Sequence, residues 1–383
     1  MIKNKLFFLT NYEAFRRRQQ TQLQRTTLTD AARLGIFTYG APGALQQHNL
    51  LQITGHAADP TMKRIIDMLP AANRIDNFRF GDSAEGVLRN TAGYSFLQST
   101  KRDRDNITGK VDYYVSDKHS LFGTYIWNRD LNERPTVSNL GYDPKPSVVN
   151  VNATKFFSTG WRSTLSPTFT NELRGGLNKA PGTFSKTVPD EKFYVSNTGL
   201  GFTTPIQTYQ PEGRFTDTWN ISNNASWLKG KHTLNLGFQS QNIRVNAYDY
   251  FITSPLYTLG IGSRTRGITA AGLPCASQNE INNANTLLAS VAGLVNQAQQ
   301  RFNVRDNSSG FVAGQENRRY WAFGSYAGYL QDNWKMTRRL SLSAGVRYDY
   351  FTVVDETRGV ALLPVLQNGN PISTLLNPDS QIA

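Results

Sequence analysis

The feature that most constrains this chain is an alternation of apolar and polar residues with a period of two, which recurs in paired segments. Ile107, Val111 and Tyr113 share one parity, and Thr108 and Lys110 share the other. A period of two places apolar and polar side chains on opposite faces of a β-strand. The alternation resumes after a few polar residues, which predicts a hairpin.

The same paired pattern occurs four times along the chain, after an opening strand at about Lys5 to Arg16. It predicts about nine antiparallel strands, many of them about as long as the ~9 to 11 residues that a tilted strand needs to cross a membrane. The predicted connections alternate in length: they are short at 117–119, 166–167, 229–231 and 336–339, and long at 17–106, 131–152, 180–215 and 251–319.

This alternation of connection lengths is typical of a transmembrane β-barrel, which has short turns at its periplasmic rim and long loops at its extracellular rim. A soluble β-sandwich has no physical reason to keep it over four cycles. The sequence therefore predicts an all-β fold, namely part of an antiparallel transmembrane β-barrel with long extracellular loops.

The composition fits a membrane protein only if the chain crosses the membrane as strands. Hydrophobic residues make up 39% of the 383 residues, and the mean hydropathy is −0.46. No segment approaches the roughly 18 consecutive apolar residues that a membrane-spanning helix requires. The 17 Tyr and 21 Phe suit strands that have one apolar and one polar face.

Polarity assigns the faces of the predicted strands, because a barrel meets water inside and lipid outside. The six Trp fall in or at the end of predicted strands, as expected for aromatic girdles, although core packing in a soluble β protein would place them there as well. The residues assigned inward are Thr108, Lys110, Asp112, Ser341, Ser343, Arg347 and Asp349; those assigned outward are Val111, Tyr113, Leu342, Val346 and Tyr348; and the tryptophans are Trp127, Trp161, Trp219, Trp227, Trp321 and Trp334.

The last long connection has a helical pattern of its own. Its apolar residues recur with the spacing of an amphipathic helix, which we expect to pack the connection against the barrel rim. These residues are Ile281, Ala284, Leu287, Leu288, Val291, Leu294 and Val295.

The residue types do not favour catalysis, metal binding or nucleic-acid binding. The formal charge of +13 is scattered along the chain apart from the run 16–18, so no nucleic-acid partner is predicted. Cys275 is the single cysteine, which excludes an internal disulfide and a cysteine-based zinc site. His119 and His232 fall in predicted turns, where solvation accounts for them. No catalytic or phosphate-binding motif occurs, so we predict no enzymatic activity, cofactor or metal.

One predicted hairpin resembles a motif that is widespread in the barrels of TonB-dependent receptors, "QDxW…LxLxxGxRY". Further segments are similar to the Oar-like branch of that family: 3–8, 12–16, 171–174, 230–234 and the loop residues 287–297. Together these matches cover most of the chain outside the long loops. The residues that carry the hairpin motif are Gln331, Asp332, Trp334, Leu340, Leu342, Gly345, Arg347 and Tyr348.

The resemblance implies an energised importer, in which a barrel of about 22 strands is blocked by a plug and opened by the inner-membrane TonB complex. It also implies an outer-membrane location, contact with outer-membrane lipid, and a nutrient ligand whose identity it does not give. Residues 1–383 then form one partial barrel domain without the plug, the N-terminal β-sandwich or the C-terminal strands. Because no export signal follows Met1 to Lys5 and residues 379–383 have no terminal-strand signature, we expect the chain to be truncated at both ends.

Three functional hypotheses follow from the sequence. The main one is a fragment of a TonB-dependent receptor that takes up a nutrient across the outer membrane. The alternative is an adhesion or structural barrel without active transport. The third is a soluble β-sandwich that binds carbohydrate through aromatic residues, which the outward rows of Val, Leu and Tyr do not favour.

Overall fold

The computed structural model describes residues 4–83, 86–134, 141–197 and 200–361. Most of these residues lie in β-strands. The strands are β1 (Leu6–Leu28), β2 (Ile36–Tyr39), β3 (Gln46–Asn49), β4 (Thr91–Ser116), β5 (His119–Glu133), β6 (Val148–Ser166), β7 (Phe169–Lys186), β8 (Tyr194–Asn197), β9 (Glu212–Lys229), β10 (His232–Asp249), β11 (Leu256–Leu259), β12 (Val295–Gln299), β13 (Phe302–Val304), β14 (Phe311–Ala313), β15 (Asn317–Lys335), β16 (Ser341–Phe351) and β17 (Asp355–Glu356).

Nine long strands form one antiparallel sheet in the order β1-β4-β5-β6-β7-β9-β10-β15-β16, and the short β17 pairs with β15. Each long strand pairs with the next long strand along the chain, so the sheet is a continuous meander. The expected nine antiparallel strands are therefore confirmed. Within the described residues the sheet is open, because β1 pairs only with β4 and β16 pairs only with β15.

The alternation of short and long connections is confirmed, but each predicted long connection contains more residues than the observed one. The strands continue beyond the apolar segments because polar side chains pair across them. On β1 and β4, for example, Arg16 pairs with Asp105, and Arg18 lies 2.5 Å from Asp103. The short connections are 117–118, 167–168, 230–231 and 336–340, and the long ones are 29–90, 134–147, 187–211 and 250–316.

The strand register separates the side chains of the main sheet into two faces. Val111 lies opposite Phe8, and Leu330 lies opposite Leu236 and Val346. We call the face with these residues the apolar face and the opposite one the polar face. The large side chains of the apolar face are exposed, up to 69% for Val346 and 70% for Tyr348. The residues assigned inward from the sequence all have the polar-face parity, and those assigned outward all have the apolar-face parity.

Four α-helices of the described residues lie in the long connections. The longest, α4, begins with a capping box and ends at Gly293, whose φ of 66° is a left-handed conformation that glycine adopts without strain. No helix in the described part of the chain is long and apolar enough to span a membrane. The helices are α1 (Asp30–Arg33), α2 (Leu50–Thr54), α3 (Pro60–Asp67) and α4 (Gln278–Ala292).

The apolar core lies mainly in the long connections, where it surrounds Leu28 at the end of β1. Helix α4 presents Leu287 and Leu288, both fully buried, to residues of the other connections, among them Phe37, Leu50 and Leu200. The helix predicted from the sequence is therefore confirmed. Its apolar side faces a core that several connections build around Leu28 at the end of β1, so the helix packs against the other connections as well as against this end of the sheet.

Candidate functional site

The four long connections pack together at one end of the sheet, and we call their described residues the cap. Apolar residues from all four meet around the end of β1: Leu28 is fully buried beside Leu69, Leu273 and Leu288, with Tyr142 packed against them. A second cluster joins Met62 and Ile65 of α3 to residues of β8 and β11. The cap is thus a folded unit with its own core.

A carboxylate at the start of α4 joins two connections of the cap. Glu280 accepts hydrogen bonds from the Ser277 backbone N–H and from the Gly40 backbone N–H, each at 2.8 Å. Burial alone would raise the pKa of Glu280, but these hydrogen bonds outweigh it and hold the pKa below its ordinary value. The first and fourth connections are therefore linked by a charged hydrogen-bond acceptor.

A partly buried tyrosine joins the second and third connections to the sheet. The Tyr142 hydroxyl lies 2.7 Å from the Thr26 carbonyl oxygen and 2.9 Å from that of Thr203. The Thr203 N–H donates to the same Thr26 oxygen at 2.8 Å. Burial raises the pKa of Tyr142, so the side chain stays a neutral donor. These contacts position the second and third connections beside the end of β1.

A groove of about 760 Å³ lies at the cap end of β6, β7, β9, β10 and β15. The register places most of the side chains that line the groove on the polar face, so the groove opens on that side of the sheet. Its lining residues include Asn150, Asn152, Phe184, Glu212, Arg214, Asp249, Asn317, Arg319 and Trp321.

The groove combines fixed and free polar groups. Asp249 is fixed, because Arg301 donates to one of its carboxylate oxygens at 2.8 Å and Asn317 donates to the other at 2.9 Å. Arg214 is exposed and has no hydrogen bond or ion pair within the part of the chain that the structure describes. The Asn317 Oδ1 atom is buried without a partner there. This arrangement can donate and accept hydrogen bonds to a ligand beside the aromatic rings of Phe184 and Trp321.

The residues of the sequence motif lie together at the other end of the sheet, in the hairpin of β15 and β16. Trp334 lies opposite Leu342 on the apolar face, and its ring stacks on His232 with centroids 5.4 Å apart. Asp332 lies 2.6 Å from the same imidazole. His232 is the first residue of β10, directly after the turn, and its side chain stays 42% exposed while it contacts Trp334 and Asp332.

The remaining motif residues also have structural positions. Gly345 lies opposite Gln331, where a Cβ atom would approach the Leu330 carbonyl oxygen to 2.9 Å. Arg347 binds Asp349 on the polar face at 2.8 Å. Leu340 lies in the turn, and Tyr348 is on the apolar face. The structure thus brings these residues into one hairpin, but it does not place them at the groove.

Sequence reasoning missed the groove, and the girdle interpretation does not hold for one tryptophan. Five of the six Trp have the apolar-face parity, as the girdle interpretation requires. Trp321 has the opposite parity, since it pairs with Val245, and it lines the groove. The available signal was parity: Trp321 shares its face with Ser325 and Tyr329, not with Trp334.

Comparison with known proteins decides the family. A family model described as an outer membrane beta barrel domain matches residues 1–363. The chain belongs to this outer-membrane β-barrel family. Its location is the outer membrane, and the apolar face of this barrel protein is the face that contacts lipid.

Solved structures of outer-membrane proteins show only distant likeness to this β-barrel chain. The outer membrane transporter YddB from Escherichia coli is 12% identical, with a TM-score of 0.38, over 91% of this chain and 39% of its own. The copper transporter OprC is 11% identical, with a TM-score of 0.35, over 68% and 30%. The siderophore receptor PirA from Acinetobacter baumannii is 10% identical, with a TM-score of 0.35, over 68% and 34%. The chain thus spans about two fifths of these proteins or less. A search of curated proteins found no match.

Proposed function

We propose that this chain is part of a TonB-dependent outer-membrane receptor that binds a nutrient at the cap end and passes it through the barrel. The observation that carries the proposal is the groove on the polar face, which lies at the cap end of five strands and presents the free guanidinium of Arg214. A barrel that only adhered to surfaces would need contacts on its exterior, not an interior groove.

The open sheet supports a larger barrel. Among the described residues, the outer edges of β1 and β16 have no strand partner along the apolar region. Unpaired backbone groups in lipid cost several kcal/mol each, so these edges require further strands in a membrane. We infer that the nine strands belong to a closed barrel of about 22 strands, the size that the motif resemblance implies.

The groove supplies the chemistry of ligand binding and not of catalysis. Asp249 is already held by Arg301 and Asn317, which fixes the shape of one wall. Arg214 and the Asn317 oxygen are left to bind the ligand. We propose that a polar nutrient binds here and that a plug, moved by the inner-membrane TonB complex, controls its passage.

The test is capture and uptake by cells that produce the full gene product. Outer membranes that carry the wild-type protein or the Arg214→Ala variant are incubated with a peptide- and oligosaccharide-rich culture medium, and the bound small molecules are identified by mass spectrometry. Arg338→Ala is the matched control, because Arg338 is exposed in a short turn at the opposite end. Uptake of the captured compound is then compared in cells with and without the TonB complex.

The proposal predicts a compound that binds to wild-type and control membranes, binds weakly to Arg214→Ala membranes, and enters cells only when TonB is present. Binding with TonB-independent entry would exclude energised transport. If no compound is captured, the adhesion or structural barrel is the better interpretation.

A further inference from the structure

A cluster of basic side chains lies on the apolar face, at the cap-side border of its apolar residues. Arg129 of β5, Lys155 of β6 and Lys179 of β7 all have the apolar-face parity, and all three are exposed. Lys155 and Lys179 lie directly opposite each other on neighbouring strands. We call these three residues the basic border patch.

The basic border patch is neutralised only in part by its neighbours. Lys179 has one carboxylate nearby, Asp217, at 3.9 Å. Asp105 lies opposite Arg129 and attracts it, but the same carboxylate also forms an ion pair with Arg16. Within the residues that the structure describes, neither Arg129 nor Lys155 has a hydrogen bond or an ion pair. Like charges directly opposite each other destabilise a strand pair, so an anion between the two lysines would stabilise the fold.

The next residues along the strands fix the level of the patch relative to lipid. Lys155 lies opposite Trp127, and the next residue of the same face on β6 is Phe157. On β7, Leu177 is the corresponding apolar neighbour of Lys179. Aromatic residues mark the membrane interface of a barrel, so the patch lies where the hydrocarbon region meets the lipid headgroups. Since long loops lie on the extracellular side, these are headgroups of the outer leaflet.

We propose that the basic border patch binds the phosphate groups of phosphorylated lipid in the outer leaflet. Lysine ammonium groups are compact point charges that bind phosphate oxygens, and arginine adds a planar pair of donors. The exposed aromatic and aliphatic residues below the patch contact the acyl chains of the same lipid. The binding site thus combines basic side chains, which bind the phosphate groups, with apolar side chains on the same strands, which contact the acyl chains. It does not depend on the proposed transport function.

The test compares lipids that differ only in phosphate. The purified full gene product in detergent micelles is titrated with bisphosphorylated lipid A, with the same lipid after enzymatic removal of its phosphates, and with inorganic phosphate. The variant Arg129→Gln/Lys155→Gln/Lys179→Gln removes the patch. The matched control Lys118→Gln/Arg338→Gln/Arg339→Gln removes the same charge from exposed residues of the short turns. The conservative variant Lys155→Arg/Lys179→Arg keeps the charge.

The wild type, the control and the conservative variant should bind the phosphorylated lipid alike and the dephosphorylated lipid far more weakly. Removing three cations at a membrane surface should weaken binding by about a hundredfold. Equal binding by the patch variant and the control, or no effect of phosphate removal, would overturn the proposal. Competition by inorganic phosphate at the same concentration as lipid would show a free-phosphate site and would overturn the assignment to lipid.

Discussion

Tyr329 lies across the backbone of Gly237 on the polar face of neighbouring strands. A Cβ atom on Gly237 would approach the Tyr329 Cε1 atom to 2.3 Å, and the Tyr329 hydroxyl donates to the Asn224 side-chain oxygen at 2.9 Å. The glycine thus provides the space in which the ring covers the sheet and reaches a third strand.

Substitution of this glycine should destabilise the sheet. Because the ring must move, we expect Gly237→Ala to lower the free energy of unfolding by about 1–3 kcal/mol. The double variant Gly237→Ala/Tyr329→Ala should lose less than the sum of the two single variants, since the clash with the ring is then absent and only that with the Asn224 side-chain oxygen, at 2.6 Å, is left. Gly109→Ala is the control, because its Cβ would meet no atom within 4 Å. Urea unfolding in detergent micelles measures all four; strict additivity would contradict the packing.

The core of the cap should be sensitive to truncation. Leu288 is fully buried in α4, so we expect Leu288→Ala to destabilise the cap by about 2–5 kcal/mol. Leu34→Ala is the matched control, because Leu34 is in the same cap but 66% exposed. Hydrogen exchange should show faster exchange in α4 for Leu288→Ala only, with the long strands unchanged. Equal exchange in the two variants would mean that the cap has no cooperative core.

The cap should open in acid because of Glu280. The pKa of Glu280 is lower in the folded cap than its ordinary value of 4.5. The hydrogen bonds to the Glu280 carboxylate therefore stabilise the cap fully above pH 4.5, and this stability is lost as the pH falls through the folded pKa. Hydrogen exchange of α4 should therefore accelerate at acid pH in the wild type, beyond the intrinsic effect of pH. Glu280→Gln should remove this dependence, and Asp67→Asn, in another cap helix, should keep it. An unchanged acid transition in Glu280→Gln would assign the effect to other groups.

Adjacent residues of β15 should respond in opposite ways to a positive charge. Leu330 is 50% exposed on the apolar face, and Gln331 has the polar-face parity. In lipid, Leu330→Arg should cost about 2–4 kcal/mol near the membrane centre, whereas Gln331→Arg faces the barrel interior and should be tolerated. The amount of folded protein in the outer-membrane fraction reports the difference. Similar recovery of both variants would argue against a lipid-facing Leu330.

The sequence predicts those parts of the fold that depend on local periodicity. The strands, the parity of Val111 or Arg347, and helix α4 all follow from spacing within one segment. The extension of β1 to Leu28 does not, because it depends on pairs such as Arg18 with Asp103, which are far apart in the sequence. Strand ends beyond the lipid have no apolar signal and are therefore invisible to a hydrophobic pattern.

The cap and the groove were beyond sequence reasoning for the same reason. The Gly40 contact with Glu280 joins residues 240 positions apart, and no local pattern predicts it. The groove uses side chains from five strands, and the sequence pattern singles out Trp321 among them only as one of six tryptophans in predicted strands. The hairpin motif was found because it is contiguous, and the structure gives its residues packing positions.

The most direct test of the account is the side of the membrane on which the cap lies. Cys275 is the single cysteine of these 383 residues and is exposed in the cap, so it is a natural probe. Intact cells that produce the full gene product, with any cysteine outside these residues replaced by Ser, are treated with a polymer-linked maleimide too large for porins, and the variant Cys275→Ser/Arg338→Cys moves the thiol to a short turn. We predict labelling of Cys275 in intact cells, and of the variant only after the outer membrane is permeabilised. Labelling of the short turn in intact cells, or of neither thiol before permeabilisation, would contradict a membrane-spanning sheet with an extracellular cap.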